Sequence, residues 1–194
     1  MYVPELEDDA RLHAEYHDEW EHGAHFPPDT GDRILGKVCG FDLVEAATSD
    51  PAPYRRRFMH IAIQAARDTR YSLQYDGGEE EVRWDGRAYA LRNKHRAVAL
   101  VVVRLRDDGA CWRSWQDEDS GVLFSGDIDE SPRRVIDFAW ILPSLRRQGV
   151  GTAMIRIVAE HLGAELGDLG WTTPLSAGGT RLVRRLTGVG YWAA

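Results

Sequence analysis

Residues 135–157 read VIDFAWILPSLRRQGVGTAMIRI, a buried strand joined to a helix through a basic, glycine-bearing turn. Arg133 to Leu142 mixes β-branched and aromatic residues at Val135, Ile136, Phe138, Trp140 and Ile141, the apolar-on-both-faces pattern of a central strand. Pro143 ends its ladder. Arg146, Arg147 and Gln148 lead into Gly149-Val150-Gly151, after which Val150, Ala153, Met154, Ile157, Val158 and Leu162 recur at helical spacing. A helix over 149–164 puts both glycines on its first turn, where unpaired N–H groups and a partial positive charge gather. Glycines that let an anion approach the backbone, beside two arginines, make a diphosphate site, with the Thr152 hydroxyl as a further donor. Two rival motifs fail on spacing: a dinucleotide fingerprint needs a glycine where Met154 stands, and a P-loop needs a Gly-Lys-Ser/Thr that is absent.

Arg146, Gly149 and Gly151 resemble the R/Q-x-x-G-x-G/A signature of motif A in the GNAT superfamily of N-acyltransferases, and Pro143 lies where that family often has it. The resemblance implies that the turn binds the pyrophosphate of acetyl-CoA and that the preceding strand splays from its neighbour to pair with the pantetheine arm. The cofactor-binding set it implies is Ile141, Leu142, Arg146, Arg147, Gln148, Gly149, Val150, Gly151 and Thr152.

Composition agrees with a small enzyme: 194 residues and 43% apolar content suffice for one main core. The longest apolar run, Ala97 to Val103, is too short to span a membrane. The first twenty residues are acidic rather than basic-then-apolar, so no signal peptide is expected and the location is expected to be cytoplasmic, with Cys39 and Cys111 reduced. A net charge of -7 argues against nucleic acid and suits a cationic acceptor.

Along the chain, residues 5–22 read as helix, Arg33 to Ala46 as extended, and a helix opens at Pro51 or Pro53 and runs to about Arg70, with Tyr54, Phe58, Ile61, Ala62, Ala65 and Ala66 on one face. Strands follow at Tyr71–Tyr75, Val82–Trp84, Ala88–Arg92, Arg96–Arg106 and Cys111–Trp115, then the strand at Arg133. After helix 149–164 come a short strand Gly170–Thr173, a helix Gly178–Leu186 and the terminal Tyr191-Trp192. The expected fold is α+β, a GNAT-like mixed, mostly antiparallel central sheet flanked by helices, with an N-terminal helical extension. Residues 1–69 are expected to pack on a GNAT-like acyl-CoA-binding domain at 70–194. The family usually ends in a two-strand hairpin, and here only residues 190–194 remain, so part of the sheet is expected to be shortened or supplied by the N-terminal half.

Trp171-Thr172-Thr173-Pro174-Leu175-Ser176, followed by Gly179, also resembles the aromatic-Ser-Asp-Pro-Thr-Pro segment of the sister-chromatid cohesion acetyltransferases. Thr173 stands where that family has its catalytic Asp. Gly36-Lys37-Val38-Cys39-Gly40 with His60 is similar to a remnant of that family's zinc finger, but Gly36 replaces the first cysteine, so four-coordinate zinc is not expected from that pattern.

An amine with a solution pKa of about 10.4 must lose a proton before it attacks a thioester. Asp137, an acid inside an apolar strand and expected to share parity with Val135, Ala139 and Ile141, is the candidate base; the alternative is an ion pair with Arg134 or Arg113. A backbone N–H near Ile141 or Leu142 would polarise the carbonyl. The family's acid, a tyrosine on the last helix, falls here at Leu186, leaving Ser176 or Thr173 to protonate the thiolate, against the alternative that they cap the following helix.

His13, His17, His22 and His25 read as a solvated face or cleft lining, with an i, i+4 metal pair at His13/His17 as the alternative. Arg55-Arg56-Arg57 reads as helix surface or as a seat for the 3′-phosphate of CoA; Glu79-Glu80-Glu81 and Asp117-Glu118-Asp119 read as solvated turns that could steer a cationic acceptor. Three functions follow: an N-acetyltransferase moving acetyl from acetyl-CoA to a primary amine of a protein lysine, peptide or small cationic metabolite, a noncatalytic acyl-CoA-binding module, and a metal-dependent adaptor. The partners expected are acetyl-CoA and a cationic amine acceptor, with neither nucleic acid nor membrane; a homodimer is left open, and no resident metal is expected.

Overall fold

The computed structural model describes residues 7–69, 86–107, 111–116, 123–188 and 190–194. The expected strands Tyr71–Tyr75 and Val82–Trp84 and both acidic runs, Glu79-Glu80-Glu81 and Asp117-Glu118-Asp119, lie outside the described residues. In chain order the elements are α1 (Glu7–His22), β1 (Ala24–His25), β2 (Arg33–Val38), β3 (Phe41–Ala47), α2 (Ala52–Thr69), β4 (Arg87–Asn93), β5 (Arg96–Arg106), β6 (Cys111–Gln116), β7 (Leu123–Asp129), β8 (Arg133–Ile141), α3 (Val150–Leu162), β9 (Gly170–Trp171), α4 (Ala177–Thr187) and β10 (Tyr191–Ala193). The architecture is α+β with a mostly antiparallel sheet, as the sequence predicts.

The strands form one sheet in the order β2-β3-β4-β5-β8-β9-β10-β6-β7, with β1 pairing on β5. Among the described strands only β8–β9 and β9–β10 run parallel. Residues paired across strands share a face, so the register assigns the layers. Ala99, Val101 and Val103 of β5 lie opposite Ile141, Ala139 and Ile136. That face meets α3, whose His161 reaches Glu45 of β3 at 3.1 Å. Leu100 and Val102 lie opposite Trp140 and Phe138 on the other face. There the Trp140 indole donates to Asp68 of α2 at 2.8 Å. The core fills both sides, with Leu43, Tyr89, Leu100, Met154 and Ile155 fully enclosed on the sheet and α3, and Phe58 and Ile61 on α2.

The sheet's far edge is completed by the β6–β7 hairpin, paired to β10 through Tyr191↔Ser114 and Ala193↔Trp112. The N-terminal half supplies β1, β2 and β3 to the same sheet, as expected, with β2 at the opposite edge, while the edge next to β10 comes from residues 111–129. Strand β7 was not anticipated, because its Asp127 and Asp129 interrupt the apolar alternation. Cys39 (φ 51) and Gly40 (φ 89) make the two-residue turn between β2 and β3; two consecutive positive φ values are what a type I′ hairpin turn requires. No helix of the described residues is long and apolar enough to cross a membrane.

Two buried carboxylates tie β2–β4 to the helices. Asp32 receives Arg92 and, at 2.7 Å, Arg57, whose guanidinium also lies 4.4 Å from the centre of the Phe26 ring. Glu45 receives Arg87 at 2.7 Å and His161 at 3.1 Å. Burial pushes Asp32 up, but hydrogen bonds from Arg57, the Asp29 amide and Arg92 outweigh it and hold the carboxyl below its ordinary range. Burial likewise pushes Glu45 up, and Arg87 and His161 bring it below. A carboxyl lowered in the folded state adds stability above its unfolded pKa and loses it as pH falls through the folded value. The melting temperature should therefore fall as pH drops below about 4, and Glu45→Gln should flatten that dependence; an unchanged slope in the variant would count against the assignment. Arg92→Met, which leaves Asp32 with Arg57 as its remaining guanidinium partner, should cost about 1–3 kcal/mol in chemical denaturation.

Candidate active site

Strand β8 carries one residue more than β5 across their pairing. Val102 lies opposite Phe138 and Val103 opposite Ile136, so Asp137 is the extra residue of a β-bulge. The bulge overturns the expected parity: Ile136, Ala139 and Ile141 face α3, while Val135 lies opposite Arg104 on the face that Phe138 and Trp140 share with α2. Strand β9 follows β8 only through Val135 and Ile136, with the Thr172 N–H on the Ile136 carbonyl at 3.0 Å as the last bond. Among the described residues no strand lies opposite Phe138 to Ile141 on that side. A cleft of about 1010 Å³ opens there, walled by β8, the turn after it, the start of α3, Trp171, Thr172, residues 174–176 and α4.

Antiparallel pairing alternates the direction of successive N–H groups. The Leu142 N–H donates to the Val98 carbonyl at 2.8 Å, towards β5. Leu142 therefore cannot present its amide to the cleft, contrary to expectation, and it is absent from the cleft wall. The same alternation turns the N–H groups of Ala139 and Ile141 towards the opening.

After β8, Gly149 adopts φ 84, ψ −4 and caps α3 with no side chain bonded to the helix start. A residue with a Cβ is strained in that conformation, which is why the turn needs glycine there. The Ala153 N–H is taken by the Gly149 carbonyl at 2.9 Å. The N–H groups of Val150, Gly151 and Thr152 precede it and have no acceptor within the helix. A Cβ on Gly151 would stand 3.6 Å from Ile141 and 3.7 Å from Leu182, so glycine leaves a methyl-sized space on the cleft floor. Val150 itself is buried and offers only its backbone.

The basic side chains of the turn divide in role. Arg146 donates through Nε to the Ile141 carbonyl at 2.9 Å and pairs with Asp68, so it fastens the turn to β8 and α2. Gln148 bonds the Ser144 carbonyl at 2.7 Å and is likewise spent inside the turn. Arg147, at φ 64, lines the cleft with Arg181 and Arg185 of α4, and none of the three has a polar partner among the described residues. The indole N–H of Trp171, a residue 3% exposed on the cleft wall, is also buried without an acceptor among the described residues. Unpaired helix N–H groups, a space left by glycine, uncompensated guanidiniums and an orphaned donor suit an extended anionic ligand with carbonyl acceptors, as an acyl-CoA is.

Asp137 stands where β8 and β9 part. Its Oδ1 accepts the Thr172 hydroxyl at 2.8 Å and meets Arg104 at 3.3 Å, while Oδ2 has no partner among the described residues. Its ion-pair partner is thus Arg104, not Arg134 or Arg113. Ser176 lines the cleft, and its Oγ accepts from the Gly179 N–H at 3.1 Å as the cap of α4. Thr173 is not part of the cleft wall; its N–H points to the Ala194 carbonyl at 3.4 Å. Thr172 holds the place beside Asp137 instead. Leu186 packs against the core.

The sequence points to Trp171, among the tryptophans, as core or cleft wall, and it lines the cleft; Asp68, Thr172, Arg181 and Arg185 as site residues come from the structure alone. Arg181 and Arg185 carry the one signal that could have found them, an i, i+4 basic pair on a helix next to the glycine turn. Arg57 is taken up by Asp32, and about 20 Å of helix separates Arg55 from the cleft end of α2 at Asp68, so the Arg55-Arg56-Arg57 run does not reach this site. His13 and His17 bring their Nε2 atoms to 3.0 Å on the exposed face of α1, and His60 meets Glu19 at 3.1 Å. Among the described residues no group of three or more His, Cys, Asp or Glu could hold a metal ion.

No protein-family model matches the chain, and no curated protein matches it. Solved structures do match. The xEco2 acetyltransferase domain bound to a CoA conjugate superimposes with a TM-score of 0.69 at 12% identity, covering 85% of this chain and 98% of that one. A second structure of the xEco2 acetyltransferase domain gives 0.66 at 11% identity, covering 86% and 98%. The likeness is one of fold: this chain is folded like the GNAT acetyltransferases, the cohesion acetyltransferases among them.

Proposed function

We propose that the chain is an acetyl-CoA-dependent N-acetyltransferase acting on a primary amine of a protein lysine, peptide or small cationic metabolite by direct attack. The observation that carries this reading is the opening of β8 from β9 at Asp137, which leads straight into the unpaired N–H groups of α3. Residues 70–194 then form most of the acyl-CoA-binding unit, and residues 1–69 pack on it through α1 and α2, join its sheet through β1–β3 and contribute Asp68. The overall charge of -7 favours a cationic acceptor. A reducing, cytoplasmic compartment is part of the proposal, supported by two free thiols, Cys39 and Cys111.

In this reading the turn at 147–152 holds the diphosphate, and the Ala139 and Ile141 edges hold the arm and the thioester carbonyl. Asp137 accepts a proton from the ammonium through Oδ2, directly or through one water, while Thr172 and Arg104 fix Oδ1. The freed nitrogen forms a bond to the acetyl carbon, and the Ala139 or Ile141 N–H receives the charge developing on the carbonyl oxygen. The carbon–sulfur bond then breaks, and the nitrogen's second proton passes to the departing thiolate through the Ser176 hydroxyl or a water, which gives one proton to sulfur as it takes one from nitrogen. The products are the acetylated amine and CoA.

A second reading, a noncatalytic acyl-CoA-binding module, is favoured by Leu186, which fills the expected acid position with a packed apolar side chain. Thiol release with a panel of amines separates the two. The N-acetyltransferase reading expects turnover, and Asp137→Asn should lower it by about 10²–10⁴-fold with acetyl-CoA still bound; undiminished turnover would remove Asp137 as the base. Gly151→Val, which fills the space between Ile141 and Leu182, should abolish the thermal stabilisation by acetyl-CoA and leave the unliganded melting temperature within a few degrees.

A further inference from the structure

Arg181 and Arg185 lie one turn apart on α4 and both line the cleft. The side chain of Leu182, between them, reaches within 3.7 Å of the position a Gly151 Cβ would take, so α4 runs beside the first turn of α3. Neither guanidinium has a polar partner among the described residues. In a chain of net charge -7, two such neighbours on one rim, in addition to Arg147, are an unbalanced charge. The diphosphate reading leaves them unused, because the N–H groups of 150–152 and Arg147 already serve two negative charges.

Residues four apart on a helix hold their Cβ atoms about 5–6 Å from each other, so these two side chains can converge on a single tetrahedral anion. A phosphomonoester suits them better than a diester or a carboxylate. It carries between one and two negative charges at neutral pH and three acceptor oxygens, enough for two guanidinium forks. We propose that Arg181 and Arg185 bind the 3′-phosphomonoester at the adenosine end of the donor, so that the chain discriminates acyl-CoA from its 3′-dephospho form. This rests on the acyl-CoA reading above and adds a recognition element to the same site.

Calorimetric titration with acetyl-CoA and with 3′-dephospho-acetyl-CoA tests it. The unaltered protein should prefer acetyl-CoA by roughly tenfold or more, with the preference shrinking as salt is raised. Arg181→Gln/Arg185→Gln should bring the ratio of the two dissociation constants towards one, and Arg181→Glu/Arg185→Glu should reverse it. Competition on the unaltered protein gives a readout independent of variant folding: adenosine 3′,5′-bisphosphate should displace acetyl-CoA better than adenosine 5′-monophosphate. Equal affinity of the unaltered protein for both donors, or a preference that survives the Gln pair, would overturn the proposal and leave the acyl-CoA reading standing. Binding of neither donor would overturn both.

Discussion

A strand that gains one residue relative to its neighbour has to bend, and in this chain the extra residue is Asp137. The rest of the site depends on that bend. Before it, β8 is an interior strand paired on both sides; after it, β8 keeps β5 and loses β9, whose last bond is the Thr172 amide on Ile136. A backbone edge in the middle of a sheet is costly unless something pairs with it, and the open edge here faces a cleft that ends in the unpaired N–H groups of α3. The bulge also lifts the Asp137 carboxylate to the point of divergence, where one oxygen is held by Thr172 and Arg104 and the other is open among the described residues.

The turn after β8 is held by side chains that take no direct part in the cradle. Arg146 bonds the last carbonyl of the strand and reaches Asp68, and Asp68 also accepts the Trp140 indole. The motif's first residue is therefore a brace between the two layers, and α2 is fixed against the sheet by the same carboxylate. In the proposed reading, anion recognition falls to glycine-freed backbone and to Arg147, Arg181 and Arg185. Such a division keeps the turn rigid without a ligand, so that binding carries little cost of ordering.

Much of the fold could be read from the chain because local pattern and tertiary fate agree. The strand at 133–142, the glycine-capped α3 with its apolar stripe, and the Phe58–Ile61 face of α2 all became what their spacing predicts. What escaped the sequence depends on register. The parity assigned to Asp137 ignored a bulge, and a bulge is defined only by the partner strand. The resemblance points to Thr173, and the structure puts Thr172 beside Asp137: which of two adjacent threonines faces β8 depends on how β9 is paired. The Leu142 amide was misassigned because its direction follows from pairing with Val98, one strand away. The β6–β7 hairpin, paired on β10 at the sheet's edge, shows that sheet order is settled by long-range pairing that no local window contains.

The central claim, that the open edge of β8 and the start of α3 form one acyl-CoA site, is tested most directly by residue-resolved amide hydrogen exchange with and without acetyl-CoA. The account predicts that the ligand slows exchange at Ala139 and Ile141 and at Val150, Gly151 and Thr152, and leaves Leu142, already bonded to Val98, nearly unchanged. Exchange that is unaltered at those five amides, at ligand concentrations that saturate the protein, would contradict it.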